Sequence, residues 1–429
     1  MTDKGVRLEM DKTKSNYSKF LLLWSGELIS SIGGGLSSFG LGIYIYQKTG
    51  SAAGMAFMTL LAFLPALLLR VPAGVLADKY DRRLLMMIGD GCSGLGVLFI
   101  LLCMLTGEAQ IWQIYVGVTI SSVFTALLEP AFTATITDLL TKEQYSKANG
   151  LVSLAGSARY LFSPVIAGFL LAVSDIKLLL IIDICTFFLT VVCAAVVRKG
   201  LKTKPIENKD PFMKSLKEGW RAVAGIRGLL LLVIVSSFLT LFIGIFQVLA
   251  EPFVLSFTDA KTTGIVETVC ASGMLAGGIV LGVFGIKKHF TKVLSISLIF
   301  SGIGMACFGL FHNFYIISAF GFIFFVGMAF ANNSLDYLVR TNIPDELQGR
   351  AWGLIGLISQ MGYVVAYLFS GLLADGIGHV TEQGAGFGSS VMIIISGIGL
   401  ASIAFLILFF RSIRQLEASA MNEKVCLES

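Results

Sequence analysis

Three ionisable side chains inside long apolar stretches are the residues of this sequence best placed to do chemistry. Glu27, Glu129 and Arg159 lie about seven, eight and eleven residues from the predicted cytoplasmic ends of their stretches. A charge at such a depth costs roughly 2.5 to 3.5 kcal/mol on insertion scales, so it rarely faces lipid. A guanidinium can hold one carboxyl charged while a second, desolvated carboxyl exchanges a proton. We therefore predict a proton-coupling cluster, and a purely structural salt bridge is the alternative that the sequence leaves open.

The elements that must carry these residues are membrane-spanning helices. The chain has 429 residues, 55% of them hydrophobic and 14% charged, with a mean hydropathy of +0.84. This composition excludes a soluble globular protein. Twelve apolar runs are each long enough to cross a bilayer, so we predict an all-α membrane protein with twelve transmembrane helices. The runs are residues 20–46, 52–73, 84–106, 111–137, 148–173, 178–197, 228–255, 262–286, 292–311, 314–338, 350–374 and 389–411.

Positive charge is distributed as in a membrane protein, and it does not indicate a nucleic acid partner. With the N-terminus inside, the predicted cytoplasmic segments hold 27 of the 32 Lys and Arg, and the outside loops hold only Lys48, Lys177 and Lys261. The positive-inside rule then places both termini in the cytoplasm. The first span is expected to direct insertion without a cleaved signal peptide. We predict a multi-pass protein of the plasma membrane.

The twelve spans are predicted to form two pseudo-symmetric six-helix bundles. The predicted parts are residues 1–197 (N-terminal bundle), 198–227 (cytoplasmic linker) and 228–429 (C-terminal bundle and cytoplasmic tail). Pro211 to Trp220, in the linker, has the spacing of an amphipathic helix on the membrane surface. Residues 141–172 align with residues 344–375 at a constant offset, with eight identities in 32 positions. The alignment pairs span five with span eleven, as parallel halves require, although chance apolar similarity is an open alternative.

Spans one, four, seven and ten each carry a polar stripe along one helix face. The stripes contain Glu27, Ser30, Ser31, Gly34, Ser37 and Ser38; Thr119, Ser122, Thr125, Glu129 and Thr133; Thr240, Gly244, Gln247 and Glu251; and Asn332, Asn333 and Asp336. A polar stripe in a membrane helix faces either a water-filled cavity or a neighbouring helix. We predict that Ser30, Ser31, Ser122, Thr125, Thr240, Gln247, Glu251, Asn332, Asn333 and Asp336 line a substrate cavity. Helix-to-helix hydrogen bonding is the alternative for each Ser or Thr.

The turn between spans two and three resembles a known signature. It reads Gly74-Val-Leu-Ala-Asp78-Lys79-Tyr-Asp81-Arg82-Arg83, and it is similar to the Gly-x-x-x-Asp-Arg/Lys-x-Gly-Arg-Arg/Lys loop of the Major Facilitator Superfamily. Asp81 stands where that superfamily usually has Gly. This departure resembles the macrolide-efflux branch.

Two further segments, Thr141–Asn149 and Asn342–Arg350, also resemble the macrolide-efflux branch, so the resemblance extends over nearly the whole chain apart from its tails. It implies that spans one, four, seven and ten line a central cavity in a bacterial drug:proton antiporter. Span five departs from other proton antiporters of the superfamily, because Ser163-Pro164 replaces their Gly-Pro.

The signature turn is also predicted to act as a conformational latch. The predicted latch residues are Gly74, Asp78, Lys79, Arg82 and Arg83, with Asp78 and Arg82 as its main pair. The corresponding turn of the second half is reduced to Gly285-Ile-Lys287-Lys288 and has no aspartate. Three other charged residues, Arg70, Asp183 and Glu267, are interpreted as interfacial or helix-packing residues.

We predict a monomeric secondary transporter that exports amphipathic small molecules in exchange for protons, without a cofactor or metal. Export of an endogenous siderophore or peptide and solute uptake are the alternatives. An enzyme is disfavoured because none of the three His lies at the middle of a span. No Gly-Lys dipeptide is present, which excludes a Walker A phosphate-binding loop.

Overall fold

The computed structural model of the protein describes residues 3–198, 220, 225, 227–286, 288–343, 348–410, 413 and 415–417. Regular secondary structure in this part of the chain is helical. Twelve of its helical segments are long and apolar enough to cross a membrane. The predicted all-α membrane fold with twelve transmembrane helices is therefore confirmed.

The first six spans are built from seven α-helices. These are α1 (Asp3–Thr49), α2 (Ala52–Lys79), α3 (Arg82–Thr106), α4 (Ile111–Thr125), α5 (Leu128–Leu139), α6 (Tyr145–Val173) and α7 (Ile176–Arg198). The last six spans are one helix each. These are α8 (Arg227–Leu255), α9 (Ala260–Phe284), α10 (Phe290–Leu310), α11 (Phe314–Arg340), α12 (Gln348–Val380) and α13 (Gly384–Ile407).

Span four is interrupted between α4 and α5, where the sequence indicated one continuous run. Pro130 explains the interruption, because it has no N–H to donate to the carbonyl of Ala126. Proline is tolerated in the first turn of a helix, so α5 restarts at Leu128. The break places Glu129 in the first turn of α5, where the helix dipole favours a carboxylate.

The chain divides into two compact units. Unit 1 comprises Met1–Ile45 and Met58–Asn208, and unit 2 comprises Tyr46–Phe57 and Lys209–Ser429. The predicted domain limits at 197 and 228 stay a prediction. The predicted amphipathic helix from Pro211 to Trp220 lies outside the described residues, except for Trp220 itself.

Small residues let the helices of each unit approach closely. In unit 1, a Cβ added to Gly96 of α3 would lie 2.8 Å from the backbone nitrogen of Ser121 on α4. In unit 2, a Cβ added to Gly302 of α10 would lie 2.6 Å from the backbone nitrogen of Ala401 on α13. Glycine is needed at both positions because a side chain there would push the helix backbones apart.

A buried aromatic group forms part of the core of unit 2. Phe246 of α8 stacks on Phe324 of α11 at 4.6 Å between ring centroids and meets Phe308 of α10 edge-on at 4.8 Å. Phe324 is completely buried. This phenylalanine of span ten therefore packs between helices.

The first turn of α2 is capped from within unit 2. The Asp375 carboxylate on α12 accepts hydrogen bonds from the backbone N–H groups of Ala52 and Ala53 at 2.8 and 3.0 Å and from the Ser51 hydroxyl at 2.5 Å. A carboxylate at this position satisfies amide groups that have no partner within the helix.

Candidate functional site

Arg159 is an exposed residue of α6 whose side chain contacts α1. Its Nη2 donates to the Ser38 hydroxyl at 3.0 Å, and a Cβ added to Gly35 would lie 3.1 Å from its Cγ. Glu27, on the same helix as Ser38, is partly buried. The glycine-rich segment of α1 thus lets α6 come close enough for the guanidinium to reach the polar stripe of span one.

Glu129 has a different partner from the predicted one. Its carboxylate forms an ion pair with Arg70 of α2 at 2.6 Å, and both side chains are more than half exposed. Among the described residues, no hydrogen bond or ion pair connects Glu129 with Arg159 or with Glu27. The grouping of Glu129 with Glu27 and Arg159 stays a prediction, because equal depth along two helices does not fix the direction in which their side chains point.

Two aspartates accompany Glu27 in the interior of unit 1. Asp90 of α3 and Asp183 of α7 are completely buried, and Asp90 lies within electrostatic range of both Glu27 and Asp183. We call Glu27, Asp90 and Asp183 the acidic cluster. Asp183 was interpreted as a packing residue, and Asp90 was missed, although a carboxyl between Gly89 and Gly91 in an apolar run was a usable signal.

Unit 2 contains a second pair of carboxyls. Glu251 of α8 lies within electrostatic range of Glu267 of α9. Oε1 of Glu251 is shielded from solvent and has no hydrogen-bond partner among the described residues. Glu251 was predicted to line a cavity and Glu267 to be interfacial, but the structure places the two side chains together.

Several residues of the predicted cavity contact neighbouring helices. The Ser122 hydroxyl donates to the carbonyl of Ala62 at 2.6 Å, the Thr240 hydroxyl donates to the carbonyl of Ser359, and Gln247 Oε1 accepts from Tyr367 at 2.8 Å. Hydrogen bonds of this kind join transmembrane helices. Among the other candidates, Ser30 is buried and Ser31 and Asn332 are partly buried, whereas Thr125, Asn333 and Asp336 are exposed on their own units.

The signature turn is organised around Asp138, which the sequence reasoning missed. The two oxygens of Asp138, at the end of α5, accept hydrogen bonds from Arg82 at 2.7 Å and from Arg83 at 3.2 Å. Both arginines are almost fully buried. Arg82 also donates to the carbonyls of Ala77 and Ala134. Asp138 is thus the carboxylate that Arg82 contacts in this region, where the prediction had paired Arg82 with Asp78.

The remaining predicted latch residues lie around this group. Asp78 is partly buried and Lys79 is exposed near the end of α2. A Cβ added to Gly74 would meet no atom of the described residues within 4 Å. Steric crowding therefore gives no reason for glycine at position 74.

Asp81 caps α3, which explains an acidic residue where the superfamily signature has glycine. Its Oδ1 accepts from the backbone N–H groups of Arg83 and Leu84, and its Oδ2 accepts from Arg198 Nε at 2.8 Å. Burial opposes the charged form, but the hydrogen bonds from Arg198, Arg83 and Leu84 outweigh it and hold the pKa of Asp81 below its ordinary value.

Replacing Asp81 with alanine is expected to lower the free energy of unfolding by about 1 kcal/mol at neutral pH, because α3 loses its N-cap. A carboxyl with a lowered folded-state pKa stabilises the fold above its unfolded pKa of about 3.9 and loses that contribution as the pH falls through its folded pKa. The stability gap between the two proteins should stay constant from about pH 8 to pH 5 and shrink below about pH 4. Denaturant unfolding in detergent across this range measures the gap. Glu382→Ala, at an exposed position in the loop before α13, is the control, and a gap between wild type and Asp81→Ala that is absent at pH 7 would contradict the capping role.

Comparison with known proteins assigns the fold and the family. The profile described as Major Facilitator Superfamily matches residues 23–285 and 229–425. A bacterial homologue of the human lysosomal transporter Spinster, solved in an inward-facing, unoccupied conformation, has the same fold with a TM-score of 0.73 and 14% identity, over 94% of this chain and 98% of that one.

Efflux proteins are among the relatives of the chain. Macrolide efflux protein A of Streptococcus pyogenes is 27% identical over 377 residues, which cover 86% of this chain and 92% of the relative. The multidrug efflux pump Tap of Mycobacterium tuberculosis is 22% identical over 380 residues, which cover 86% of this chain and 90% of the relative. With twelve apolar helices in the described part of the chain and a profile that matches most of its length, this chain belongs to the Major Facilitator Superfamily of membrane transporters.

Proposed function

We propose that this transporter exports large amphipathic small molecules of the macrolide type and is driven by proton influx. The observation that carries the proposal is the similarity to macrolide efflux protein A over most of both chains. The protein then works by alternating access as a monomer in the plasma membrane of a bacterium, with both termini in the cytoplasm. The excess of Lys and Arg in the predicted cytoplasmic segments supports this orientation.

The coupling residues in this proposal are Glu27, Glu129 and Arg159. Glu27 belongs to the acidic cluster, and Arg159 reaches the same helix through Ser38. Glu129 acts from the ion pair with Arg70, at the break in span four. An exposed ion pair within a membrane span would have a high free energy if it faced lipid. A water-filled space beside the pair is therefore favoured.

The substrate is proposed to contact the polar stripes of spans one, four, seven and ten. The proposed contacts are Ser30, Ser31, Ser122, Thr125, Thr240, Gln247, Glu251, Asn332, Asn333 and Asp336. A pocket for an amphipathic ligand needs a few polar groups within an apolar wall. The exposed members, such as Asn333 and Asp336, are the ones that a ligand can reach without displacing a helix.

The signature turn is proposed to act as the latch of the transport cycle. Gly74, Asp78, Lys79, Arg82 and Arg83 are its residues, and Asp138 holds its two arginines. Charged hydrogen bonds of this kind are either formed or broken. They therefore allow the two helices a few discrete relative positions and not a continuous range of them.

Expression in a macrolide-sensitive bacterium that lacks its own efflux pumps tests the proposed function. Cells that make the protein should accumulate less radiolabelled macrolide than cells carrying an empty vector, and a protonophore should abolish the difference. Membrane expression is verified by immunoblot in both arms. Equal accumulation despite verified expression would contradict macrolide export, and greater accumulation would indicate uptake instead.

A further inference from the structure

The acidic cluster has polar atoms that nothing in the described part of the chain satisfies. Both carboxyl oxygens of Asp90 and Oδ1 of Asp183 are shielded from solvent and have no hydrogen-bond partner there. Ser37 of α1 is a separate observation, because its side chain is not acidic. Ser37 is 4% exposed, its hydroxyl lies beside the Asp183 carboxyl, and it also has no partner of good hydrogen-bond geometry. Buried polar atoms are normally hydrogen-bonded. These unsatisfied oxygens together therefore indicate a site for a small polar species such as a proton.

The surroundings supply too little positive charge for three carboxylates. Among the residues that the structure describes, the titratable and charged side chains facing the cluster are Glu27 on α1, Asp90 on α3, Asp183 on α7 and Arg159 on α6. Arg159 is within electrostatic range of Asp183, but its Nη2 donates to the Ser38 hydroxyl. Three carboxylates beside one guanidinium would leave two uncompensated negative charges in a low-dielectric interior. Protons on two carboxyls remove this excess, and the fully buried aspartates lose the most hydration when charged.

Close helix packing keeps these aspartates away from water. A Cβ added to Gly33 of α1 would lie 3.1 Å from Asp183 Oδ1, so the α1 backbone covers the carboxyl directly. Glu27 is the one member of the acidic cluster that is partly exposed. A shift of α1 relative to α7 would therefore be needed to bring water into contact with the Asp183 carboxyl. Glu27 lies on α1, the helix that would move.

We propose that Asp90 and Asp183 store the coupling proton in a closed site that opens when α1 separates from α7. This inference rests on the proposed function and deepens it by naming where the proton resides. The proton leaves an aspartic acid carboxyl as the aspartate forms, is taken up by the Glu27 carboxylate, and then passes from Glu27 to water. A proton that enters from the opposite side of the membrane reloads the aspartate and completes the cycle.

Infrared spectroscopy tests the stored proton independently of transport. Purified wild-type protein at neutral pH should show the C=O stretching band of a protonated carboxyl, and labelling aspartate with a heavy carbon isotope should shift part of that band. Asp90→Asn and Asp183→Asn should each reduce the shifted part, whereas Asp175→Asn, an exposed loop carboxylate, should not. No isotope-sensitive band in the wild type would overturn the proposal, and this measurement holds even if a variant fails to fold.

Transport in reconstituted vesicles provides the second readout. For each variant, macrolide movement driven by a pH gradient is compared with exchange of labelled for unlabelled macrolide at equal pH. Asp90→Asn and Asp183→Asn should lose the gradient-driven movement and keep the exchange, because exchange needs no net proton transfer. A merely structural aspartate would lose both or neither.

The outcomes separate the two proposals. Wild-type vesicles that move no macrolide contradict the proposed function. Wild-type vesicles that respond to the pH gradient, together with Asn variants that respond equally, contradict only the assignment of Asp90 and Asp183. A response to a sodium gradient in place of a pH gradient would contradict the proton as the stored ion.

Discussion

Replacing Asp138 with alanine is expected to destabilise the protein by about 3 kcal/mol, because removing one partner leaves buried charges uncompensated. Arg82 and Arg83 have side-chain exposures of only 5% and 2%, and both donate to the Asp138 carboxylate. Nε and Nη1 of Arg83 already have no partner among the described residues. The variant would therefore leave two guanidinium groups inside the protein without the carboxylate that compensates them.

The effect of Asp138→Ala is measured as the change in unfolding free energy in detergent. Asp175→Ala is the control, because Asp175 forms an exposed ion pair in unit 1 and accepts the backbone N–H of Lys177 at the start of α7, interactions worth about 1 kcal/mol each. Asp138→Asn should fall between wild type and Asp138→Ala, since it keeps one acceptor oxygen without the charge. Equal losses for Asp138→Ala and Asp175→Ala would show that Asp138 does not organise the signature turn.

Replacing Glu27 with glutamine is expected to abolish proton-driven transport while substrate exchange continues. Glutamine has nearly the shape of glutamate but cannot carry a proton, so packing of α1 should be kept while the relay to water is lost. Glu129→Gln is expected to weaken coupling through the loss of charge beside Arg70. Both variants are compared with wild type in vesicles that report internal pH and labelled macrolide together. Unchanged coupling in both variants would remove Glu27 and Glu129 from the coupling mechanism.

The membrane spans could be predicted because their signal is local. Twelve apolar runs of sufficient length stand out in the sequence, and the residues that the structure describes form twelve matching helical segments. The break in span four could not be recognised by hydropathy, because Ala126, Leu127 and Leu128 are as apolar as their neighbours. Pro130, which has no N–H, lies at this break, but Pro65, Pro72, Pro164 and Pro252 lie inside continuous helices, so a proline alone does not predict a break.

The partners of charged residues were harder to predict, because they depend on how each helix is rotated. The sequence places Glu129 and Arg159 at one depth, but Arg70 of α2 is the partner of Glu129. The sequence does not single out Asp138, because this residue lies near a polar loop, where carboxylates are common. Its role depends on the end of α5 lying beside the start of α3, which long-range packing decides.

The departure of the signature turn at Asp81 was visible in the sequence, but its reason was not. The structure provides the reason, since the carboxylate caps α3 and binds Arg198 from more than one hundred residues further along the chain. Asp90 illustrates the opposite case. A lone aspartate in an apolar run is informative by itself, yet its convergence with Glu27 and Asp183 depends on the packing of three helices.

Simultaneous recording of proton and macrolide fluxes shows whether proton movement through unit 1 drives export. Wild-type protein is reconstituted in vesicles that hold a pH-sensitive dye, and labelled macrolide is added with no pH gradient imposed. We expect macrolide movement in one direction to drive protons in the other, and we expect Asp183→Asn to move macrolide by exchange without changing the dye signal. Macrolide transport by the wild type that leaves internal pH unchanged, and that no pH gradient accelerates, would contradict proton-driven export.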